Sequence, residues 1–389
     1  MVNKYYPYLY LAGFFLAAHY ALTTYINSTY LNQFYPTWAI DVLYATGSIL
    51  TLLVLIIISS VFKRTGVVAA LISGIIIEAA ALIGMAFSHS PALIFVFFIF
   101  HQALPPLLLF SLDVILEGSI HSEGVTGRIR SVYLTIINTA FLIAPFTAAA
   151  LIYYRSFQDV YLWSLASLMI FLCVTIEALW RIKLRPPKEI AFGSSLKHFV
   201  KRQDLLRIFS LNFLLQAFYA LMVIYVPIYL RTIIGFSWPQ IGLLFTIMLV
   251  PFVIFEAPLG RLFDSFQIER DTLMIGFILM AGSTFAMAMS HSASLLIWAC
   301  LLFISRIGAS FVEVSSEYAF FSRVNEQHSE FIGIFRMAEP TAYVLAPLLA
   351  GIVTLATPTA TVFEVIAIMA LVGLVASYHL VTRRRIILQ

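Results

Sequence analysis

The stretch FSWPQIGLLFTIMLVPFVIFEAPLGRLFDSFQIERDTLMIG, residues 236–276, decides the fold class of this chain. Residues 239–259 form an apolar run of about twenty residues, which a helix rising 1.5 Å per residue carries across a bilayer. A polar segment from Gly260 to Arg270 follows, and a second apolar run begins directly after it. The stretch therefore predicts two membrane-spanning helices joined by a tight charged turn.

The composition of the whole chain agrees with a membrane protein. Of its 389 residues, 61% are hydrophobic and only 11% are charged, whereas a soluble domain carries about 25% charged residues. Lipid must therefore be the solvent for most of the surface. The two cysteines, Cys173 and Cys300, lie inside apolar runs, which excludes a disulfide framework and makes a metal site improbable. We expect no metal and no cofactor.

Twelve apolar runs are long enough to span a membrane. They predict an all-α membrane protein with twelve transmembrane helices, at about 6–26, 38–61, 67–87, 92–116, 132–154, 160–180, 208–230, 239–259, 273–290, 293–311 continuing to 320, 331–355 and 361–381. The first run is too long for the apolar core of a signal peptide and no A-x-A cleavage site follows it, so we expect it to be retained.

The one long polar segment, 181–207, divides the chain. It holds eight bases, and Pro186-Pro187 and Gly193 interrupt any continuous helix there. The predicted organisation is a six-helix bundle over 1–181, a linker over 182–207 and a second bundle over 208–389. Basic charge beside apolar spans favours a cytoplasmic loop near lipid rather than a nucleic-acid site.

Basic residues also predict the orientation. When alternate loops are assigned to opposite sides, one side holds only Arg155 and Arg231, and all the other loop bases fall on the opposite side with the linker. The positive-inside rule then places both termini in the cytoplasm of a plasma (inner) membrane. Such an arrangement requires an even number of spans.

An internal repeat of about half the chain is visible. Residues 18–22 and 30–31 match 217–221 and 229–230 at a shift of 199, the acid pair 113/117 matches 313/317 at a shift of 200, and Ala-Pro at 144–145 matches 346–347 at a shift of 202. The pairs fall in the first and seventh, fourth and tenth, and fifth and eleventh runs. Two homologous six-helix halves would produce this pattern.

The turn that ends the opening stretch resembles the signature loop of the major facilitator superfamily, roughly G-x-x-x-D-R-x-G-x-R-R. Gly260 and Asp264 match and Arg270 matches loosely, while Ser265 and Gln267 depart from the pattern. The first-half loop keeps its bases and a glycine but has a lysine in the place of the aspartate. The resemblance implies two six-helix bundles that rock around a central site, and a transporter rather than an enzyme.

In the resembled family, the first, fourth, seventh and tenth helices line the central cavity. Each of these runs carries a polar group near its middle, and we predict a substrate- or proton-binding site that includes nearby acids: His19, His101, Gln102, Gln216, Tyr219, Arg306, Glu313 and Glu339. Arg306 either holds an anionic group or pairs with an acid, Glu313 or Glu339. The histidines either relay protons or are hydrogen-bonded core residues.

A second set lies near the predicted cytoplasmic ends of the helices. In the resembled family, acids at this level bond to bases and latch the two halves, which implies a cytoplasmic gate formed by Asp113, Glu117, Arg128, Arg130, Glu256, Gly260, Arg261, Asp264, Arg270 and Glu317. Two other interpretations remain open for these acids: a structural role at helix ends, and direct substrate or proton binding. Three further acids, Glu78, Glu177 and Glu364, lie on helices that normally sit outside the cavity and are either interfacial or packed between helices.

Nucleotide-binding and hydrolase motifs are missing from the sequence, which argues against an enzyme or an ATP-driven pump. The sequence favours a secondary transporter of a small solute, driven by protons and working by alternating access as a monomer in the lipid bilayer, with no nucleic-acid partner. The alternative is a lipid or amphiphile translocase, or a non-transporting membrane protein, on the same scaffold.

Overall fold

The computed structural model describes residues 5–119, 126–181, 192–265, 268–324 and 330–380. Apart from a single 3-10 turn, Leu179–Arg181, the regular structure of these residues is α-helical. The helices are α1 (Tyr6–Thr24), α2 (Asn27–Leu31), α3 (Thr37–Thr65), α4 (Val67–Phe87), α5 (Pro91–Ser119), α6 (Thr126–Tyr154), α7 (Phe157–Glu177), α8 (Phe192–Lys201), α9 (Gln203–Thr232), α10 (Trp238–Ser265), α11 (Glu269–Met289), α12 (Leu295–Phe321), α13 (Glu330–Arg336), α14 (Ala338–Thr354) and α15 (Thr361–Tyr378).

Within the described residues, eleven helical segments are long and apolar enough to cross a membrane. Helices suit these sequences because a helix satisfies its own backbone hydrogen bonds where lipid offers no partner. Large apolar side chains remain more than half exposed along them, as lipid contact allows, for example Ile76, Phe87, Ile352 and Val375. The chain is therefore an integral, multi-pass membrane protein.

The first predicted run forms α1, which has 19 residues but is not among the eleven apolar segments. Four tyrosines, His19 and two threonines at its C-terminal end lower its hydropathy. The hydroxyl groups of Thr23 and Thr24 both donate to the carbonyl of Tyr20, at 3.1 and 2.7 Å, so their hydrogen-bond donors are satisfied within the helix. The remaining eleven predicted runs each correspond to one segment.

The eleventh predicted run is divided, because α13 ends at Arg336 and α14 begins at Ala338. Met337 bonds three residues back, its N–H donating to the carbonyl of Ile334 at 3.1 Å. Pro340 lacks an N–H and is unable to donate to the carbonyl four residues earlier, at Arg336. A proline is tolerated in the first turn of a helix, which is where Pro340 lies in α14.

The predicted linker contains a helix of its own, α8. Its Phe199 is buried and contacts the rings of Phe209 and Phe331, whereas Lys197 and Lys201 are exposed. This helix is therefore amphipathic and packs by its apolar side. The predicted start of the second bundle, residue 208, lies inside α9.

The chain forms two compact units, one made of residues 1–189 with 237–246 and the other of residues 190–236 with 247–389. In the first unit, α1 packs against α6 and α7, and α4 packs against α5 and α7. In the second, α11 packs against α12 and α15, and α9 packs against α14. The bundle boundaries derived from the sequence remain a prediction.

Candidate functional site

A buried cluster of two histidines and one glutamate lies in the first unit. His19 on α1 and Glu78 on α4 have no exposed surface, and His101 on α5 is 2% exposed. The Glu78 Oε1 atom lies 2.6 Å from His101 Nδ1 and 3.3 Å from His19 Nε2. The packing of α4 on α5 and of α1 on α5 brings the three side chains together. We call His19, Glu78 and His101 the triad.

Polar side chains from three other positions complete the network around the triad. The amide of Asn27, on α2, places its Nδ2 atom 3.2 Å from His101 Nε2. The hydroxyl of Tyr161, on α7, donates to Asn27 Oδ1 at 2.9 Å. Ser164, one turn further along α7, donates to the backbone carbonyl of His19 at 3.0 Å, and its Oγ lies 2.7 Å from His19 Nδ1.

The donors and acceptors of this network fix which ring nitrogen carries a proton. The Ser164 hydroxyl spends its proton on the carbonyl of His19, so its oxygen accepts from Nδ1–H of that ring. The Asn27 amide N–H donates to His101 Nε2, so the proton of His101 is on Nδ1 and points at Glu78.

Two buried atoms of the triad have no hydrogen-bond partner among the described residues, Nε2 of His19 and Oε2 of Glu78. The first faces the carboxylate without a proton between them. A single added proton on His19 Nε2 would turn this contact into an ion pair and would bring the net charge of the triad from −1 to zero. The geometry thus leaves one ring nitrogen, His19 Nε2, facing the carboxylate without a proton.

Arg306, on α12, occupies a buried position in the second unit and is 2% exposed. Its guanidinium carbon lies 5.3 Å from the ring centroid of Phe218 and 5.2 Å from that of Tyr219, both on α9. Cation–π contacts of this kind stabilise a desolvated cation by about 2 kcal/mol. The Nε and Nη2 atoms of Arg306 have no hydrogen-bond partner within the described part of the chain.

Neither predicted acid partner, Glu313 or Glu339, forms a salt bridge with Arg306 among the described residues. Glu313 Oε2 accepts from the hydroxyl of Tyr219 at 2.7 Å and attracts Arg306 only electrostatically. Glu317 pairs with Arg336 at 2.9 Å, and Arg336 also attracts Glu313 and Glu339. Arg336 thus lies among three acids, Glu313, Glu317 and Glu339. The sequence analysis did not include Arg336 in the site. Its position, a base near the membrane depth of the repeated acid pair Glu313 and Glu317, was a signal that could have identified it.

Two other predicted site residues lie apart from these clusters. Gln102, next to His101 on α5, packs against Gly47 of α3, where an added Cβ would lie 2.7 Å from the Cβ of Gln102. Gln216 makes a long contact of 3.5 Å with Asn212 one turn earlier on α9. Both are half-buried, and neither is hydrogen-bonded to the triad or to Arg306 among the described residues.

The predicted gate is described only in part. Asp113 is half-buried near the end of α5, Glu317 forms the ion pair with Arg336, and Arg270 pairs with its neighbour Asp271 at 3.2 Å on the surface. The remaining predictions concern side chains outside the described part of the chain: Glu117, Arg128, Arg130, Glu256, Gly260, Arg261 and Asp264. The latch between these groups stays a prediction.

Sequence reasoning also missed how Glu78 and Asn27 are used. Glu78 lies on a helix expected outside the cavity, yet it joins the two histidines. Asn27 begins the sequence Asn-Ser-Thr, which has the pattern of a glycosylation site, but it is 4% exposed and engaged in the network. Within the described ranges, no group of three or more histidine, cysteine or acidic side chains is placed to hold a metal ion.

The fold defines a class, a polytopic α-helical membrane protein. Residues 208–386 match the family model of the Major Facilitator Superfamily. A crystal structure of a point mutant of the nucleoside transporter NupG is similar with a TM-score of 0.76, at 14% identity over 97% of this chain and 100% of that one. A second NupG structure has a TM-score of 0.73, at 12% identity over 97% and 98%. No curated protein sequence matches the chain.

For residues 208–386, somewhat less than half of the chain, the match confirms the family predicted from the signature loop. That family is one of membrane transporters rather than enzymes. The similarity to NupG is one of fold, since the sequences share so few residues.

Proposed function

We propose that this protein is a proton-coupled transporter that moves a small solute across the membrane by alternating access. Twelve spans form two six-helix bundles, over 1–181 and 208–389, joined by a cytoplasmic linker. The protein acts as a monomer in the plasma membrane with both termini in the cytoplasm. The signature loop and its acids and bases form the cytoplasmic latch that opens and closes the site.

The observation that carries the proposal is that His19 Nε2, which has no hydrogen-bond partner among the described residues, faces the carboxylate of Glu78. An ionised carboxylate at the centre of a bilayer costs at least about 2.5–3.5 kcal/mol, and more when it is fully buried without a counter-charge. Protonation of His19 Nε2 supplies that counter-charge 3.3 Å from Glu78 Oε1. A proton bound in this way is released when alternation lets water reach the triad, which is what a coupling site requires.

The groups that face Glu78 set the conditions for this titration. His19 approaches from α1, and His101 approaches from α5. Asn27 and Tyr161 reach the carboxylate only through His101, and Ser164 only through His19. Of the two histidines, only His19 faces the carboxylate with an unprotonated nitrogen, so one proton is expected per solute.

The test compares driven uptake with exchange in proteoliposomes. The solute panel is uridine, benzoate and phenyl phosphate, and uridine is included because the similar structures are of a nucleoside transporter. In the Glu78→Gln variant the amide is permanently neutral, so we expect accumulation driven by an inward proton gradient to be lost. Exchange of labelled for unlabelled solute moves no net proton and is expected to persist.

Glu177→Gln is the matched control, because Glu177 is an acid of a spanning helix whose side chain is exposed. It should keep wild-type accumulation and wild-type exchange. If Glu78→Gln still accumulates solute in response to the pH gradient, the triad is not the coupling site. If the wild-type protein shows neither uptake nor exchange of any panel member, the proposal for this solute class fails.

A further inference from the structure

The unpaired edge of Arg306 has the geometry of an anion-binding site, and we propose that it binds the carboxylate or phosphate of an organic anion, which is the transported solute. The statement that the anion is the transported solute rests on the proposed transport function; the statement that Arg306 binds an anion does not. The binding clause stands on the local structure of α9 and α12 and is tested without any measurement of transport.

The two unpaired nitrogen atoms of Arg306 lie side by side. Nε and Nη2 lie on one edge of the planar guanidinium group, and both lack a partner among the described residues. That edge donates two parallel N–H bonds, which match the two oxygens of a carboxylate or the oxygens of a phosphate. A single neutral oxygen offers neither this two-point match nor a compensating negative charge.

Leaving this edge of the guanidinium without an acceptor costs free energy. Arg306 is 2% exposed, so bulk water does not solvate its guanidinium in this conformation. An unsatisfied buried donor costs about 1–3 kcal/mol, and more when it belongs to a charged group. The rings of Phe218 and Tyr219 stabilise the positive charge, but they accept no hydrogen bonds from the free edge.

Two acids of the same helix, Glu313 and Glu317, are already hydrogen-bonded to other side chains. Glu313 lies seven residues along the same helix, about 10 Å away along its axis at 1.5 Å per residue. It accepts the hydroxyl of Tyr219, which is also one of the rings against Arg306. Glu317 is paired with Arg336. Arg306 forms no salt bridge with any acid in the described part of the chain.

A structural role would predict a different environment. A buried arginine that only stabilises the fold spends its donors on backbone carbonyls or on a carboxylate, since breaking such a pair is costly. Here the aromatic contacts and the Tyr219–Glu313 bond hold the side chains around the guanidinium, while the fork itself is left open. This arrangement is that of a preorganised receptor for an external anion.

The experiment measures thermal stabilisation of the purified full-length protein in detergent by matched probes. The pairs are benzoate with benzamide, phenyl phosphate with phenol, and uridine 5′-monophosphate with uridine. We expect at least one anion to raise the Tm while its neutral partner does not. The benzoate pair and the phosphate pairs separate a carboxylate site from a phosphate site.

Arginine variants then connect the effect to the fork. In Arg306→Gln, the affinity for the stabilising anion should fall by at least about thirtyfold, as expected when one partner of a buried charge pair is removed. Arg306→Lys keeps the charge but loses the fork, and about a tenfold loss is expected. Arg231→Gln, which removes an exposed arginine at the end of α9, should bind as the wild type does. Comparing the unliganded Tm of each variant checks that it is folded.

Three results would overturn the inference: neutral and anionic partners that stabilise equally, an Arg306→Gln variant that keeps its affinity, or a wild type that responds to no anion. Uridine uptake that depends on Glu78 but not on Arg306 would overturn the clause that the transported solute is an anion, and would leave proton coupling intact. If anion binding depends on Arg306 but the protein carries no proton-driven flux, the anion site would stand and the proposal of proton coupling would fail.

Discussion

At the scale of single residues, Tyr161 holds the Asn27 amide in the orientation that places the ring proton of His101 on Nδ1. Its hydroxyl donates to Asn27 Oδ1, which leaves the amide N–H to face His101 Nε2. If the amide turned over, its oxygen would face Nε2 and would favour a proton there. Through Asn27, the tyrosine thus helps to fix the tautomer of His101.

Replacing Tyr161 by phenylalanine is expected to destabilise the protein. The change keeps the ring contacts with Tyr30 and His101 but leaves Asn27 Oδ1 buried without its donor. An unsatisfied buried acceptor costs about 1–3 kcal/mol, so the Tm in detergent should fall measurably. Tyr153→Phe is the matched control, because Tyr153 is 58% exposed, and its Tm should be unchanged. Equal Tm values for the two variants would show that the hydrogen bond contributes nothing.

The residue types of the site were predictable from the sequence, but their pairing was not. A histidine inside an apolar run is visible as a polar outlier, and so are Arg306 and Glu78. Which of them meet depends on the rotation of each helix about its axis, and a periodic pattern does not fix that rotation when the surrounding lipid accepts apolar residues on every side. The sequence offers Glu313, two turns along the same helix, as one of two possible acid partners of Arg306, whereas Tyr219 on another helix bonds that acid.

At the scale of helices, α11 and α12 meet through glycines whose backbones nearly touch. A Cβ added at Gly308 would lie 2.5 Å from the carbonyl oxygen of Gly276 and 2.9 Å from the backbone nitrogen of Met280. Close backbone approach at small residues is how helices associate where the hydrophobic effect offers no drive. This close packing explains why a glycine stands at position 308, two residues after Arg306.

The Gly308→Ala variant is therefore expected to be destabilised, because both obstructing atoms belong to the backbone and cannot move aside as a side chain would. Overpacking of this kind costs about 1–3 kcal/mol, which a lower Tm in detergent would report. Gly282→Ala on α11 is the control, since a Cβ there meets nothing within 4 Å. Alanine also favours a helix over glycine by about 0.8–1 kcal/mol, so that variant should be as stable as the wild type or more so. A fall in Tm for Gly282→Ala alone would contradict the packing account.

Helix positions were predicted well and helix interruptions less well. Apolar runs mark spans because lipid requires about twenty such residues in succession. The division between α13 and α14 follows from the missing N–H of Pro340, but other prolines lie inside unbroken helices, among them Pro105 and Pro106 in α5. The identity of a residue therefore does not settle whether a membrane helix breaks, since neighbouring groups often compensate for the lost bond.

At the scale of the whole molecule, the fold class followed from composition and a single loop, because lipid permits few architectures for a chain this apolar. The number of spans depends on one helix. Counting α1 gives twelve spans and places both termini on the side that holds most loop bases, whereas eleven would put the termini on opposite sides. At 1.5 Å per residue its 19 residues reach about 28 Å, close to the thickness of the hydrocarbon core, about 30 Å.

Single cysteines introduced at Tyr5 and Gln33, in a Cys173→Ser, Cys300→Ser background, test whether α1 spans. If it does, a membrane-impermeant maleimide should label the Gln33 position in intact cells, and the Tyr5 position only after permeabilisation, because the helix between them crosses the bilayer. Thr65→Cys, exposed at the end of α3, should behave as the Tyr5 position does. Labelling of Tyr5 and Gln33 from the same face would leave α1 lying along the membrane surface, with His19 brought to the triad by a helix that does not cross.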